Sequence, residues 1–323
     1  MRVAGIDCGT NSIRLLIADV PGERGPLDDV VRLMDVVRLG QGVDRTGQFD
    51  PVALERTLTK VGEYADLCRE HGVESIRFAA TSATRDASNR DEFLSGVRER
   101  LGVPVQVLTG DQEAGTSFDG AASVMGVDGP TPVIVVDLGG GSTEVVLGEL
   151  GEGAVADHSM NVGCVRMHER HMTSDPATAE QIAAARADVN AALDEAEQGV
   201  DFSSARGLVG LAGTVTTLTA RALGLEQYDA SRIHGTELTV EQVVEVCEWF
   251  IHSSKAERDA LGYMHPGRSD VMAAGALVWE EVVKRVAARM EESGHPLGAV
   301  VTSEHDILDG MALWAAKEPQ PPR

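Results

Sequence analysis

The same short pattern occurs twice in the sequence, 130 residues apart, and this repeat limits the possible folds more than any other feature. Residues 5–19 read GIDCGTNSIRLLIAD, and residues 135–149 read VVDLGGGSTEVVLGE. Each copy has an apolar run, an Asp-x-Gly-x-x-Ser turn and a second apolar run, which predicts a β-hairpin with a glycine-rich turn. Two such hairpins predict two related domains; chance similarity between two hairpins is the alternative. The matched residues are Asp7 with Asp137, Gly9 with Gly139, and Ser12 with Ser142.

The length and the order of the elements favour an α/β fold in two domains. A chain of 323 residues with 43% hydrophobic and 24% charged residues is ordinary for a globular protein of two domains. Helical and strand patterns alternate between the hairpins, which favours α/β layers. The Gly- and Pro-rich segment 127–132 is the best linker candidate, so we expect domains at residues 1–126 and 132–305. Predicted helices cover 51–71, 88–101, 111–124, 176–197, 239–250 and 269–292, and predicted strands cover 73–80, 103–108, 208–211 and 299–302.

The charge balance and the cysteines argue against several classes of protein. With 28 Lys and Arg against 51 Asp and Glu, the net charge of −23 disfavours nucleic acid and anionic membranes as partners. The four cysteines have no C-x-x-C spacing, so we expect neither a zinc site nor disulfides. No run approaches ~18 apolar residues, and the first motif begins too soon after Met1 for a signal peptide. These features predict a cytoplasmic protein.

The glycine-rich turns are candidate phosphate-binding sites. Glycine lets backbone N–H groups approach a phosphate closely, and Ser or Thr hydroxyls add donors. A third turn follows a predicted strand and opens a helix, whose first N–H groups can bind an anion. A purely structural tight turn is the alternative in each case. The candidates are Thr10, Asn11 and Ser12 in the first copy, Gly139, Gly140, Gly141, Ser142 and Thr143 in the second, and Gly213 and Thr214 in the third turn.

Three carboxylates in the hairpins are candidate metal ligands. Asp7 and Asp137 end the first strands of their hairpins, and Glu144 lies on the returning strand of the second copy, where the first copy has Arg14. Mg2+ is usually held by one or two carboxylates together with phosphate oxygens and water. Asp137 and Glu144 could supply that pair, with Asp7 as a third candidate. The alternative is that both aspartates only cap their turns.

Several arginines and one glutamate are further candidates. Arg85, Arg166 and Arg268 each lie beside glycine or hydroxyl residues, and a guanidinium binds phosphate oxygens through two-pronged hydrogen bonds. Glu113 lies at the start of a predicted helix, where a carboxylate beside a phosphate could orient or deprotonate a water molecule. From spacing alone, such arginines are more often solvated, and a first-turn glutamate more often interacts with the helix dipole.

A series of ordered motifs covers nearly the whole chain. They are DCGTNSIRLLI, VRLGQGVDRTG, ATSATRDASNRDEFL, TGDQEA, VVDLGGGSTEVV, NVGCVRMHER, GLAGTVTTL, HPGRSDVMAAGAL and SEHDILDG. In this order they resemble the motifs of the exopolyphosphatase and guanosine pentaphosphate phosphatase (Ppx/GppA) family, within the actin-like ATPase superfamily. The resemblance implies two actin-like (ribonuclease H-like) domains with the active site in a cleft between them. It also implies a C-terminal helix, at about 306–323, that returns to the first domain.

The resemblance also implies roles for particular residues. Glu113 matches the catalytic glutamate of the family, although many relatives have a second Glu where this chain has Gln112. Asp137 and Glu144 match acidic residues associated with a divalent cation, Mg2+ or another such as Mn2+. The residues that match or neighbour phosphate contacts are Arg85, Arg166, Arg268, Thr10, Asn11, Ser12, Ser142 and Thr214.

The function implied is hydrolysis of a terminal phosphoanhydride by metal-assisted attack of water. We expect an exopolyphosphatase that releases orthophosphate from inorganic polyphosphate. Short chains are the expected substrate, because long relatives add a C-terminal HD-like domain. One alternative is a pppGpp 5′-phosphohydrolase that gives ppGpp, and another is a sensor that binds polyphosphate or nucleotide with little turnover. ADP or ATP are further candidate ligands. A homodimer is a candidate assembly, because dimers are common among the relatives.

Overall fold

The computed structural model describes residues 1–20, 27–126 and 129–319, apart from the side chains of residues 119, 122 and 123. The chain divides into two compact units, one formed by Met1–Thr116 with Ile307–Arg323 and the other by Ser117–Asp306. Segment 117–126, which we expected in the first domain, belongs to the second unit because Gly120 packs against the backbone of Asp306: a Cβ atom on Gly120 would lie 2.1 Å from the Asp306 carbonyl oxygen. Of the expected linker 127–132, residues 127 and 128 lie outside the described residues.

The elements have the following bounds. The strands are β1 (Arg2–Cys8), β2 (Ser12–Asp19), β3 (Asp28–Val36), β4 (Ser75–Ala80), β5 (Val105–Val107), β6 (Val133–Leu138), β7 (Thr143–Glu149), β8 (Gly153–Met160), β9 (Gly207–Leu211), β10 (Glu237–Leu238) and β11 (Val300–Thr302). The helices are α1 (Val43–Thr46), α2 (Pro51–Glu70), α3 (Ser82–Asp86), α4 (Arg90–Leu101), α5 (Gly110–Ala121), α6 (Cys164–Arg170), α7 (Ala179–Ala196), α8 (Ala212–Ala222), α9 (Ala230–Ile233), α10 (Val240–His252), α11 (Lys255–Asp259), α12 (Met272–Glu292) and α13 (Ile307–Lys317).

The two sheets repeat one topology. In the first unit the strand order is β3-β2-β1-β4-β5, and in the second it is β10-β11-β9-β6-β7-β8. The strands β8, β7, β6, β9 and β11 therefore take the places of β3, β2, β1, β4 and β5. In both sheets the first three strands form an antiparallel meander. Strands β4, β5, β9 and β11 add in parallel, and β10 pairs antiparallel with β11. The fold is thus the predicted α/β architecture with two related units.

The repeat extends to atomic detail in the two hairpins. The backbone N–H of Gly9 donates to the carbonyl of Ser12 at 2.9 Å, and that of Gly139 donates to the carbonyl of Ser142 at 3.0 Å. Each returning strand also has a register shift at the same place, between residues 17 and 18 in one unit and 147 and 148 in the other. Both predicted hairpins, and the constant offset between them, are therefore confirmed.

Helix α2 shows how local sequence sets an element. The Asp50 carboxylate accepts hydrogen bonds from the N–H groups of Val52 and Ala53, at 2.9 and 3.0 Å, and Pro51 occupies the first helical position. Its buried side chains recur every three or four residues and pack on the first sheet, as the sequence predicted. The residues on this face are Leu54, Leu58, Val61, Ala65 and Cys68.

Three predicted helix starts were too early, the first of them that of α7. We placed it at Asp175-Pro176, but α7 begins after Thr178, which caps it. The Thr178 hydroxyl accepts from the Gln181 N–H at 3.3 Å, and the Gln181 side chain accepts from the Thr178 N–H at 3.2 Å. This reciprocal pair satisfies the N–H groups of Thr178 and Gln181 at the start of the helix. The predicted helices at 88–101 and 269–292 likewise begin later, at Arg90 and Met272.

The C-terminal helix belongs to the first unit, and each unit has its own core. In α13, Leu308, Ala312 and Ala315 pack with Val3 and Leu16 of the first sheet. The second core gathers around α12, whose Trp279 is almost fully buried. Within the described segments, no helix has the length and apolar character required to cross a bilayer.

Candidate active site

The candidate residues of the first unit lie at one edge of its sheet. The parallel strands β1, β4 and β5 end side by side, since Cys8 pairs with Ala80 and Ala80 with Val107. The segments that follow these strands therefore share the carboxyl edge, where ligands commonly bind in α/β proteins. They are the turn 9–12, the segment 81–85 and the start of α5, and they carry the predicted residues Thr10, Asn11, Ser12, Arg85 and Glu113.

The first turn has its backbone engaged and one buried hydroxyl unused. The Thr10 carbonyl accepts from the Gly40 N–H at 2.8 Å, and the Asn11 carbonyl accepts from Val37 and Arg38 at 3.0 and 2.8 Å. The side chains of Thr10 and Asn11 are buried. Within the described part of the chain, the Thr10 Oγ1 atom has no hydrogen-bond partner. A buried, unsatisfied hydroxyl is costly unless a ligand completes it, which fits a role in phosphate binding.

Glu113 is held by an arginine from the neighbouring segment. The Arg85 Nη1 atom donates to Glu113 Oε2 at 2.6 Å and to the Leu108 carbonyl at 2.8 Å. Glu113 is only 7% exposed, so its carboxylate has a fixed place at the sheet edge. A buried carboxylate positioned by a guanidinium can orient and deprotonate a water molecule. The structure thus brings together two candidates that are 28 residues apart in sequence.

Gln112 has a structural role at the same helix start. Its side-chain oxygen accepts from the Thr109 N–H at 3.1 Å, and its own N–H donates to Thr109 Oγ1 at 3.3 Å. These reciprocal bonds have the pattern of a capping box, which Gln forms as well as Glu. The departure from the Glu-Glu pattern of many relatives therefore preserves the helix start that presents Glu113.

In the second unit, the start of helix α6 packs against the glycine turn. The carbonyl of Gly139 accepts from the Cys164 N–H at 3.1 Å, and that of Gly140 accepts from Val165 and Arg166 at 2.9 and 3.1 Å. Glycine is required at position 163, because a Cβ atom there would lie 2.6 Å from the Gly140 oxygen. The first N–H groups of α6 are thus satisfied by the turn itself.

The same contact between the glycine turn and α6 positions Arg166. Its Nε atom donates to the Gly141 carbonyl at 2.6 Å. Thr143 is fully buried, and its hydroxyl donates to the Val162 carbonyl at 2.7 Å, so this side chain holds the sheet together. Ser142 is also buried, at the end of the turn. Phosphate contacts by the turn residues stay a prediction.

Asp137 and Glu144 face each other on paired strands. They occupy directly opposite positions of β6 and β7, and both are buried. The Ser117 hydroxyl donates to Asp137 Oδ2 and the Ser159 hydroxyl to Glu144 Oε1, each at 2.7 Å. Opposite carboxylates on one face of a sheet repel each other, and a bound cation relieves that repulsion.

This donor set fits a hard divalent cation that shares its coordination with substrate. Two carboxylates and two hydroxyls are oxygen donors, as Mg2+ requires, and Mg2+ commonly takes the rest of its shell from phosphates and water. In the described part of the chain, three or more His, Cys, Asp or Glu side chains nowhere converge as a metal cluster. The two carboxylates therefore match substrate-shared binding rather than a closed protein cage.

The third predicted turn contacts Arg268. Parallel strands β6 and β9 pair Asp137 with Leu211, so the start of α8 lies beside the second glycine turn. A Cβ atom on Gly213 would lie 1.6 Å from Arg268 Nη1, so only glycine leaves room for this guanidinium at the helix start. The residue before it, Ala212, has a φ of 70°, in the left-handed region. A cation is unfavourable at a helix N-terminus, and an anion bound there would offset that repulsion.

A buried arginine supports the segment that carries Arg268. Ser269 follows Arg268 in the chain, and its carbonyl accepts from Arg258 Nε at 2.6 Å. Arg258 Nη1 donates to the Ser253 carbonyl at 2.5 Å. Burial lowers the pKa of Arg258 below the ordinary arginine value. No pattern in the sequence predicts this support, since Arg258 lies in the polar stretch KAERD.

A scan against family models matches residues 16–295 to the Ppx/GppA phosphatase family. The chain belongs to this family. It is 48% identical to Exopolyphosphatase 2 of Mycobacterium tuberculosis over 98% of each chain. It is also similar to a crystal structure of an exopolyphosphatase-like protein, with a TM-score of 0.92 and 46% identity over 97% and 96% of the two chains. A more distant relative is the guanosine-5′-triphosphate,3′-diphosphate pyrophosphatase of Vibrio atlanticus, 34% identical over 67% of this chain and 42% of that protein.

Membership of the Ppx/GppA family confirms the predicted fold class and the family resemblance, whereas the individual residue roles and the interdomain cleft stay predictions.

Sequence reasoning missed four residues that shape the site: Arg14, Ser117, Ser159 and Arg258. Only Arg14 had a usable signal, because it stands at the repeat position of Glu144. Its guanidinium binds Asp7, with Nη2 2.6 Å and Nε 3.0 Å from Oδ2.

Proposed function

We propose that this Ppx/GppA family member is an exopolyphosphatase, which releases terminal orthophosphate from inorganic polyphosphate. The similarity to the mycobacterial exopolyphosphatase carries the proposal, since it extends over 98% of both chains. The geometry supports it independently, because each sheet edge combines a glycine turn with charged groups suited to phosphoanhydride hydrolysis. The overall reaction adds one water across the terminal P–O–P bond and yields orthophosphate and a chain shorter by one unit.

Glu113 positions the attacking water in this proposal. One of its oxygens is fixed by Arg85, so the carboxylate can hold a water molecule in line with the terminal phosphorus and take its proton. Phosphoryl transfer passes through a loose transition state, so catalysis depends mainly on placement and on charge stabilisation. The shortened chain leaves with the bridging oxygen of the broken bond.

The remaining candidates bind and neutralise phosphates. The Thr10 hydroxyl, the turn 139–142, Arg166 and the Arg268 guanidinium at the start of α8 supply donors. Asp137 and Glu144 would hold a divalent cation, Mg2+ or Mn2+. When bound, such a cation supplies charge stabilisation to the phosphate oxygens.

A pppGpp 5′-phosphohydrolase is the second candidate function, favoured by the similarity to the Vibrio atlanticus enzyme over 67% of this chain. A sensor with little turnover is the third, and the buried Arg85–Glu113 pair disfavours it, since a binding protein needs no water-positioning carboxylate. ADP or ATP as additional ligands and a homodimer are further parts of the proposal.

The deciding experiment measures orthophosphate release by the purified chain from polyphosphates of defined length, pppGpp and ATP, with and without Mg2+. We expect the highest kcat/KM on polyphosphate, and a loss of activity when the cation is chelated. Glu113→Gln should lower kcat by at least ~10²-fold, while the neighbouring control Gln112→Glu retains the capping bonds and most activity. Higher kcat/KM on pppGpp would favour the second function, and tight binding without release the third.

A further inference from the structure

The two hairpins differ in the residue that lies opposite the aspartate of the turn. The strand pairing places Arg14 opposite Asp7 in the first unit and Glu144 opposite Asp137 in the second. The turn hydrogen bond and the register shift are the same in both. The carboxylate that faces the turn is thus matched by a guanidinium in one copy and by a second carboxylate in the other.

We infer that Arg14 is a built-in substitute for a metal ion: its guanidinium fills the cation position of the first hairpin, so Asp7 is a positioning residue for Arg14 and not a metal ligand. Both Arg14 Nε and Nη2 donate to Asp7 Oδ2. The pair is largely buried, with side-chain exposures of 16% and 6%. This inference rests on the proposed function, since it concerns the metal and phosphate sites of that reaction.

The charges explain why the substitution matters for an anionic substrate. An unpaired Asp7 would place a negative charge beside the turn that carries Thr10, and that charge would repel phosphate. Arg14 cancels it without the need for a bound ion. In the second hairpin the residue across the strand is a second carboxylate, and the proposed function assigns the divalent cation to that pair.

The supporting contacts of the two hairpins agree with this difference. Glu144 lies opposite Ser159 of β8, whose hydroxyl donates to it, whereas Arg14 lies opposite Met34 of β3. A hydroxyl donor suits a carboxylate ligand, and a methionine side chain suits the apolar stem of an arginine. Converting the first hairpin into a copy of the second therefore needs two substitutions, Arg14→Glu and Met34→Ser.

The test counts Mn2+ ions bound to the full chain by electron paramagnetic resonance, without substrate. We expect one tightly bound Mn2+ in the wild type, lost in Glu144→Gln and retained within about threefold affinity in Asp7→Asn. The R14E/M34S variant should bind two. A drop of tenfold or more in Mn2+ affinity in Asp7→Asn, or a folded R14E/M34S that binds one ion only, would overturn the inference. Retention of Mn2+ in Glu144→Gln would instead count against the metal site of the proposed function.

A second measurement covers the case in which R14E/M34S does not fold. Arg14→Gln should raise the KM for polyphosphate about tenfold, because Asp7 loses its charged partner. The neutral pair D7N/R14Q should recover most of that loss, with KM measured for each variant well below its own unfolding temperature. Equal KM values for R14Q and D7N/R14Q would contradict charge cancellation, because a merely structural role of Arg14 predicts no recovery.

Discussion

The edges of the two sheets share one hairpin pattern, but their buried carboxylates have different partners. In the first unit, acidic groups are paired with arginines, Asp7 with Arg14 and Glu113 with Arg85. In the second unit, Asp137 and Glu144 face each other and are held by serine hydroxyls. The difference teaches that two related units can surround their buried carboxylates differently; under the proposed function, one copy orients water and the other holds a cation.

The largest effect is expected from a substitution that removes one member of the carboxylate pair in the second unit. Glu144→Gln should lower kcat/KM by about 10³-fold at millimolar Mg2+, because metal charge stabilisation amounts to several kcal/mol. Glu149→Gln on the same strand is the matched control, since Glu149 lies at the end of β7, where its carboxylate accepts from the Thr131 hydroxyl. If both variants lose activity equally, the pair has no special role.

A smaller effect is expected after β9 in the second unit, where the Arg268 guanidinium lies at the helix start. The corresponding segment of the first unit, after β4, carries Arg85. Gly213→Ala should raise the KM for polyphosphate about tenfold, because the added Cβ displaces the Arg268 guanidinium from the start of α8. Gly62→Ala in α2 is the control, as no atom lies within 4 Å of its Cβ position. That control should be neutral or slightly stabilising, since alanine favours helix. An unchanged KM in Gly213→Ala would separate Arg268 from substrate binding.

The smallest effect concerns the helices that support the second unit. Burial alone would raise the pKa of Glu197, but hydrogen bonds from Arg289 and Arg285 outweigh it and lower that pKa below its ordinary value. A lowered folded-state pKa gives stability that is present above the unfolded pKa, about 4.3, and is lost as the pH falls through the folded value.

Glu197→Gln should therefore lower the thermal unfolding midpoint by about 2 °C at pH 7, with the difference from wild type vanishing towards pH 3. Glu195→Gln, on the exposed side of the same helix, should change neither the midpoint nor its pH dependence. Activity at 25 °C should be unaffected in both, which distinguishes this support from the sheet edges. A constant difference at all pH values would contradict the ionic explanation.

The sequence was most informative where a pattern is local and repeated. The offset between the hairpins predicted two sheets, and the strand orders confirm it. Strands β3 and β8 had no comparable signal, because edge strands such as β3 expose mixed polar and apolar side chains. The start of α7 was wrong because an Asp-Pro pair resembles a helix start, and only the Thr178–Gln181 contact shows where the helix begins.

The site was harder to predict, because its contacts join residues that are distant in sequence. Motif matching placed Glu113 and Arg85 separately, and only the structure shows that they form an ion pair. Asp7 is a metal candidate by analogy with Asp137, and only the structure shows that Arg14 lies opposite it and binds it. Serine donors such as Ser117 cannot be predicted from the sequence, because no local pattern distinguishes a serine whose hydroxyl is buried from one that is exposed.

The central claim is tested most directly by hydrolysis of a short polyphosphate in ¹⁸O-labelled water, with mass spectrometry of both products. Attack of water at the terminal phosphorus predicts one ¹⁸O in every released orthophosphate and none in the chain that is one unit shorter. Label in the shortened chain, or release of fragments longer than orthophosphate, would contradict the account.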